Sequence, residues 1–551
     1  MNPIVRRDLL DLLRTRTALL AICVIAATAA GTVLARWPAG GIGDLNGAAA
    51  LMVLRVFGYG LLASLVLILP AFPATTIVRE RVQGTLALLL NSPLSVGSII
   101  FGKVCGILGF TAILLAVTLP AAAACYTLGG SSMSGGVVYL YAVLGAAALQ
   151  LTSLCLMISS RAQSTDGALR VAYSAVLIIC IVPLSAHWLI PPDSSALSLL
   201  SSWAGCLSPV PAMMESVGQR NVGIVGTDYA SGAIGRYIIV ALTTSALSLL
   251  ATYIRLTRAP LDIARPPGVM TQDRSLGGRM VRRLLYLVDP NRRSSGMSLL
   301  WNPVMVKEFQ TRKFGRLNWI LRLVAICAVL SLGLSYLAAA GALGWGIEVI
   351  GGALVLFQSA LLVLFAPSLS AGLISTEREG GGWNLLRITP LSSSKILRGK
   401  LASAVLPVVL LLGATLPGYL VMMSVKPELA VQIPRVLACL GITAAFAVLV
   451  GVTASTLFRT TAAATAVAYL VVTLVCVAPF LIWLGRESPF GHSTVSTALT
   501  ISPVATALRA ADTPGFTQYD LYPNNWWLIG TACVAMLVFL FVRIRQLCRP
   551  E

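Results

Sequence analysis

Long apolar segments alternate with short polar ones along the whole chain. A helix needs about 20 mostly apolar residues to cross the hydrocarbon core of a bilayer, and twelve segments meet this requirement. They lie at residues 17–36, 50–73, 103–128, 136–160, 168–190, 235–256, 317–340, 347–374, 400–424, 435–457, 462–484 and 524–542. Apolar runs of this length exclude the short alternating strands of a transmembrane barrel. The pattern therefore predicts an all-α polytopic membrane protein with about 12 transmembrane helices.

The composition supports a membrane protein and changes how the net charge is interpreted. Of the 551 residues, 57% are hydrophobic and only 11% are charged, and the mean hydropathy is +0.86. The formal net charge of +20 raises the possibility of a nucleic-acid partner. However, Lys and Arg cluster beside alternate span ends, and the loops at 37–49 and 129–135 contain none. This is the distribution of the positive-inside rule, so we predict contact with the lipid bilayer, no nucleic acid, and both termini in the cytosol.

The two halves of the chain share a polar motif on the predicted cytosolic side. Each residue of the motif recurs at a constant offset. The matched residues are Glu80, Arg81, Gly84, Leu88, Leu89, Pro93 and Lys103 in the first half and Glu377, Arg378, Gly381, Leu385, Leu386, Pro390 and Lys400 in the second. Each half also contains six predicted spans, and an even number gives both halves the same orientation. We therefore predict two parallel six-helix units, 1–257 and 301–551, joined by a basic cytosolic linker, 258–300.

The repeated motif predicts a short helix lying along the membrane surface. Gly84 permits a tight turn, the leucine-rich stretch after it is too short to span, and Pro93 ends it. Ser95 is a good N-cap for the next helix. The second copy carries glycine at 380–382, which predicts a more flexible turn. Such a helix suits docking by a cytosolic partner, although a loop helix that only caps two spans would have the same pattern.

Each half begins with an Asn-Pro pair followed by an acidic residue. These residues are Asn2, Pro3 and Asp8 in the first half and Asn302, Pro303 and Glu308 in the second. Asn is a favoured N-cap and Pro is favoured at the first helical position. We therefore predict an amphipathic surface helix on the inner leaflet at the start of each half.

One segment imitates a nucleotide-binding loop. Gly97 to Lys103 has the glycine and lysine spacing of a phosphate-binding loop, but the following residue is Val104 instead of Ser or Thr. Lys103 and Lys400 are interpreted instead as snorkelling residues at the starts of spans three and nine. We therefore expect no cofactor in this chain.

Other candidates for chemistry are few. Gln150 and Gln358 are polar residues within predicted spans and are candidates for a translocation pathway. The spans contain no chain of carboxylates that could relay protons. The two histidines have no catalytic partner by spacing, and the eleven cysteines show no metal-binding spacing. We therefore predict no catalytic, cofactor-binding or metal-binding residue and no enzymatic activity in this chain.

The duplicated motif of Glu-Arg, Gly, a leucine-rich turn, Pro-Leu-Ser and Gly-Lys resembles the permeases of type-2 ABC transporters, largely exporters. The resemblance covers essentially the whole chain, as two fused copies of a six-span unit. It implies coupling helices at 84–92 and 381–389, and it implies that the Asn-Pro segments are the connecting helices. It also implies that ATP and Mg bind to two copies of a separate P-loop ATPase subunit. The expected location is the cytoplasmic (inner) membrane of a bacterium.

Two other functions remain open from the sequence. A twelve-helix ion-coupled secondary transporter would show the same parallel repeat, although the lack of buried carboxylates disfavours it. A membrane scaffold that does not transport would also fit the hydropathy pattern.

Overall fold

The described part of the chain is mostly helical. The computed structural model describes residues 3–14, 16–35, 48–129, 134–189, 202–218, 232–258, 302–311, 317–339, 347–484 and 491–548. These residues form helices and turns and contain no strand, which confirms the predicted all-α class. Asn2 and the predicted linker, apart from Arg258, lie outside the described residues.

The helices follow the order that the hydropathy pattern predicts. In the first half they are Pro3–Leu13, Arg16–Ala35, Ala48–Ile68, Ala71–Val82, Thr85–Leu90, Val96–Ala116, Leu119–Gly129, Ser134–Arg161, Thr165–Leu189, Pro209–Ser216 and Ala233–Arg258. In the second half they are Pro303–Thr311, Leu317–Ala339, Ile347–Ser370, Ser375–Glu379, Gly382–Ile388, Ser393–Ala414, Leu416–Val425, Gln432–Leu457, Thr461–Cys476, Ala478–Leu484, Gly491–Ile501, Pro503–Ala510 and Asn524–Cys548. Thr85–Leu90 and Gly382–Ile388 are called the first and second short helices below, and Pro3–Leu13 and Pro303–Thr311 the first and second surface helices.

Several helices are long and apolar enough to cross a membrane. Within the described part of the chain there are nine: Val53–Val82, Val96–Ala116, Gly135–Arg161, Ala233–Arg258, Ile350–Glu379, Ser393–Ser424, Pro427–Leu457, Thr461–Phe480 and Asn524–Cys548. They make this a multi-pass membrane protein. The other three predicted spans coincide with the helices Arg16–Ala35, Thr165–Leu189 and Leu317–Ala339. A total of twelve crossings stays a prediction.

The chain divides into two compact units. Unit 1 contains Met1–Ala259 and Ala478–Ala498, and unit 2 contains Pro260–Val477 and Leu499–Glu551. Each unit thus corresponds mainly to one half of the sequence. The predicted boundaries at 257 and 301 stay a prediction.

In each unit, buried hydroxyl groups form hydrogen bonds between helices at matched positions. A tyrosine and a serine each donate a hydrogen bond to a backbone carbonyl on another helix. The pairs, donor first, are Tyr173 with Leu67 at 2.9 Å and Ser208 with Cys180 at 2.8 Å in unit 1, and Tyr469 with Leu364 at 2.6 Å and Ser502 with Cys476 at 3.0 Å in unit 2. The matched contacts favour the predicted repeat of one structural unit.

A second matched serine accepts two hydrogen bonds from the backbone of a neighbouring helix. In unit 2 the hydroxyl oxygen of Ser455 accepts from the N–H groups of Ile374 at 2.8 Å and Ser375 at 2.9 Å. These groups begin the helix Ser375–Glu379, and N–H groups in the first turn of a helix have no partner within it. In unit 1 Ser159 accepts in the same way from two consecutive N–H groups, at 3.1 Å each.

Replacing Ser455 by alanine is therefore expected to lower the free energy of unfolding by about 1–3 kcal/mol, because two buried N–H groups lose their acceptor. Thermal unfolding of the purified protein in detergent would measure the change. Ser403→Ala is the matched control, since the Ser403 hydroxyl only donates to Lys400 O within its own helix. Equal stability of the two variants would contradict the prediction.

Candidate functional site

The first short helix is defined by the residues at its two ends. Gly84 precedes it with a φ of +76°, in the left-handed region that side chains other than glycine rarely occupy. The helix ends at Leu90, just before Pro93. The hydroxyl oxygen of Ser95 accepts from Ser98 N at 3.2 Å and caps the next helix. The predicted short helix and its stop are confirmed.

The second short helix repeats this geometry with one addition. Gly381 precedes it with a φ of +72°, and the helix ends at Ile388, before Pro390. A side chain at Gly382 would collide with the carboxylate of Glu377. The run of glycines thus lets a carboxylate lie against the backbone. The greater flexibility predicted for this turn stays a prediction.

Each short helix buries one apolar side chain and exposes another. Leu86 and Trp383, at matched positions, are 7% and 6% exposed, whereas Leu88 and Leu385 are 74% and 72% exposed. Ile388 is 81% exposed beside Leu385. Of the other predicted residues in these segments, Leu386 is buried, Leu89 is half-buried, and Pro93 and Pro390 are exposed. Each short helix therefore presents an exposed leucine at a matched position.

A first ion cluster, formed by Arg7, Asp8, Glu80 and Lys103, lies at the base of the first short helix. Lys103 Nζ lies 2.9 Å from Glu80 Oε1 and 3.5 Å from Asp8 Oδ2. Arg7 lies 2.8 Å from each carboxylate. Burial lowers the pKa of Arg7, but its contacts with Asp8 and Glu80 outweigh this and raise the pKa overall. Two cations and two carboxylates therefore join the first surface helix, the segment before the first short helix, and the helix Val96–Ala116.

A second ion cluster, formed by Lys307, Glu308, Glu377 and Lys400, occupies the matched place in unit 2. Lys400 Nζ lies 2.7 Å from Glu308 Oε1 and 3.6 Å from Glu377 Oε1, and it donates to Leu373 O at 2.7 Å. Lys307 Nζ lies 2.6 Å from Glu377 Oε1. The Lys400 and Glu308 side chains are only 1% and 3% exposed. This cluster again contains two cations and two carboxylates. Its central pair, Lys400 with Glu308, is shorter and more buried than either pair that Lys103 forms in unit 1.

The interpretation of Lys103 and Lys400 as snorkelling residues is wrong. Their side chains are 2% and 1% exposed and are held by carboxylates instead of reaching water. The helix that carries Lys103 begins at Val96, directly after its predicted N-cap Ser95, so the lysine lies inside the helix. One signal in the sequence could have identified the cluster: each lysine is matched between the halves together with two acidic residues.

The arginines of the two Glu-Arg pairs point away from the ion clusters. Arg81 donates to Ala162 O at 2.9 Å and to Ser160 O at 2.6 Å. Arg378 donates to Thr456 O at 2.9 Å. Both therefore bond carbonyl groups at the C-terminal end of the fourth helix predicted to span in each half, where a helix lacks internal donors. In each Glu-Arg pair the glutamate thus contacts the ion cluster, and the arginine next to it contacts the fourth predicted span.

The second surface helix starts as the Asn-Pro pair predicts. Pro3 and Pro303 are the first residues of their helices. The side-chain oxygen of Asn302 accepts from Val304 N at 3.0 Å, and its amide nitrogen donates to Lys395 O at 2.8 Å. Asn302 therefore caps its own helix and attaches it to the helix Ser393–Ala414.

Gln150 and Gln358 lie apart from the ion clusters, inside their own units. Both side chains are buried, and each accepts from a tyrosine hydroxyl and donates to a backbone carbonyl. The partners are Tyr237 at 2.9 Å and Leu207 at 3.2 Å for Gln150, and Tyr419 at 2.9 Å and Leu412 at 3.3 Å for Gln358. These bonds hold neighbouring helices together, and a role in the pathway stays a prediction.

The segment from Gly97 to Lys103 has no shape for binding a phosphate. It lies within the helix Val96–Ala116, whereas a phosphate-binding loop precedes its helix. The ammonium group that would contact phosphate is engaged by carboxylates. This geometry agrees with the rejection of a nucleotide site at this segment, which stays a prediction.

Comparison with known families identifies one similarity. The family described as ABC-2 family transporter protein matches residues 13–188. The matched stretch is less than half of the chain, but it contains Glu80, Lys103 and the whole first short helix. No curated protein matches the chain. The similarity supports an ABC-2 type permease, as the duplicated motif predicts.

Proposed function

We propose that this chain is the permease component of an ATP-driven ABC transporter, working as an exporter, and that separate cytosolic subunits hydrolyse the ATP. The similarity of residues 13–188 to ABC-2 family transporter proteins supports this proposal. That family implies an ATP-binding partner. The second half of the chain carries the same motif beyond the matched stretch.

The observation that carries the proposal is the duplicated short helix with its ion cluster. Each short helix exposes a leucine, and its base is joined by charged pairs to a surface helix and to the following membrane helix. Such a joint moves as a rigid body, so a displacement of the short helix displaces the elements attached to it. An ATPase that closes on binding ATP could shift the equilibrium between inward and outward access through two such joints.

The full assembly that we propose has two fused six-helix units in one chain and two copies of a P-loop ATPase. ATP and Mg would bind to the ATPase subunits, and both termini would lie in the cytosol. The location would be the cytoplasmic membrane of a bacterium. The matched hydroxyl contacts of the two units support the repeat, and Gln150 and Gln358 remain the pathway candidates.

Replacing both exposed leucines by aspartate, Leu88→Asp with Leu385→Asp, is expected to abolish co-purification of the ATPase. The reason is that a buried interface contact would become an unpaired buried charge, which is costly. Affinity purification of the tagged full chain, with mass spectrometry of bound P-loop ATPases, measures this. We expect at least about a tenfold loss of bound ATPase.

The matched control is Val431→Asp, which changes an exposed residue (64% exposed) on the predicted non-cytosolic side. This variant should keep the ATPase bound. Recovery of the unaltered chain without any ATPase, together with ion-driven transport by that chain alone in liposomes, would contradict the proposal and favour a secondary transporter.

A further inference from the structure

The two short helices differ in the charge that surrounds them. No charged residue occurs between 83 and 102 in the first half. The matched stretch 380–399 contains Arg387, Lys395 and Arg398 and no acidic residue. Two surfaces with the same backbone design therefore differ by three cations.

The cations of unit 2 lie close to the apolar surface of the second short helix. Arg387 is in its last turn and half-buried, and Lys395 and Arg398 are exposed at the start of the next helix. The residues at the matched positions in the first half are Leu90, Ser98 and Phe101. The exposed leucine is present in both units. The two surfaces thus share an apolar contact and differ in the charge beside it.

The second short helix also makes a side-chain hydrogen bond that its matched residue in the first cannot make. Trp383 Nε1 donates to Leu547 O at 3.2 Å, near the end of the helix Asn524–Cys548. The matched residue, Leu86, has no side-chain donor. The second short helix is therefore hydrogen-bonded to the last helix of its own unit.

Membrane topology alone does not explain the three cations beside the second short helix. Basic residues at the cytosolic ends of spans satisfy the positive-inside rule, and anionic headgroups attract them. The matched positions in the first half satisfy the same topology with Leu, Ser and Phe. Hence a residue at these positions does not have to be basic for its helix to insert.

We propose that the two short helices bind the ATPase partner through different contacts. The second binds acidic residues of the ATPase through Lys395, Arg398 and Arg387 beside its apolar contact, whereas the first makes only the apolar contact around Leu88. This inference rests on the proposed function. It makes binding at the second surface sensitive to salt, because exposed charge pairs weaken as the Debye length shortens. Binding at the first surface, which is apolar, should not weaken.

Site-specific photocross-linking tests the proposal. A benzophenone amino acid replaces Leu88 or Leu385 in the full chain, which is held in phosphatidylcholine nanodiscs with the P-loop ATPase that co-purifies with it. Cross-linking is measured at about 0.1 M and about 1 M NaCl, where the Debye length falls from about 10 to 3 Å. We expect the yield at 385 to fall about threefold or more and the yield at 88 to stay level or rise.

The chain supplies its own exchange variants. Arg387→Leu, Lys395→Ser and Arg398→Phe together give unit 2 the residues of unit 1, and should make position 385 insensitive to salt. Leu90→Arg, Ser98→Lys and Phe101→Arg together make the reverse exchange, and should make position 88 sensitive. Both exchanges use residues that the matched helix of this protein already accommodates.

Equal salt dependence at both positions of the unaltered chain would overturn the proposal. So would salt dependence at 385 that appears only when phosphatidylglycerol is added to the nanodiscs, because the cations would then serve the membrane surface. The absence of any cross-link to an ATPase at both positions would instead refute the proposed function.

Discussion

Replacing Lys400 by methionine is expected to lower the free energy of unfolding by about 3–5 kcal/mol. The carboxylate of Glu308 is 3% exposed, so it would remain buried after losing the ammonium group of Lys400. Leu373 O would lose its donor as well. Removing one member of a buried ion pair commonly costs several kcal/mol. The measurement is unfolding of the purified protein in detergent, by temperature or by added denaturing detergent.

The same helix offers a matched control for this prediction. Lys395 is exposed, and Lys395→Met should change the free energy of unfolding by less than about 0.5 kcal/mol. Glu308→Gln combined with Lys400→Met should recover part of the loss, because the uncompensated charge is removed. If Lys400→Met were as stable as Lys395→Met, the buried ion pair would not be the joint described above.

Lys103→Met should cost less than Lys400→Met. Asp8 is 13% exposed and lies 3.5 Å from Lys103, so water can solvate it more easily once the lysine is lost. Comparing the two variants measures how unequal the two joints are.

The second large effect concerns transport. Glu80→Ala with Glu377→Ala is expected to lower the substrate exported per ATP hydrolysed by about tenfold or more, since coupling between sites is commonly worth about 5- to 150-fold. Each carboxylate is shared by the surface helix and a buried lysine. Without it, the short helix could move without moving the elements attached to it. Export and ATP hydrolysis would be measured together in proteoliposomes containing the ATPase.

The ratio of the two rates separates coupling from stability, because misfolded protein lowers export and stimulated hydrolysis together. Glu428→Gln is the control: this carboxylate is 82% exposed and pairs only loosely with Lys426, at 3.8 Å. An unchanged ratio in the Glu80 and Glu377 double variant would show that coupling does not pass through these carboxylates.

Three contacts distinguish the second joint from the first. Its central ion pair is closer and more buried than that of unit 1. Trp383 fixes its short helix to the last helix. At Gly382 the Glu377 carboxylate lies against the backbone, and it would have to shift to admit a side chain. The sequence predicts a more flexible turn from the glycines at 380–382, and that flexibility stays a prediction.

The short helices were predictable because their signals are local. A glycine in a left-handed turn, a leucine-rich stretch and a proline stop act on residues within one or two turns of one another. The N-cap roles of Ser95 and Asn302 follow from side chains that bond their own backbone. Such contacts depend only on nearby residues, so they can be predicted without the tertiary structure.

The ion clusters were not predicted because their members are far apart in the chain. Lys103 alone, between polar and apolar residues, has the pattern of a snorkelling lysine. Its burial depends on Asp8 and Glu80, which belong to a surface helix and to the end of another helix. Hydropathy assigns each residue from its neighbours in sequence, so it gives no information on contacts between distant segments.

The sequence by itself determined the membrane class, the order of the helices and the duplicated short helix, since apolar length and turn residues act within single segments. Only the tertiary structure decided that Lys103 and Lys400 are buried, and which side of each short helix is exposed. The physical reason is that a lysine stays charged in the interior only where carboxylates from other helices compensate for the water it has lost.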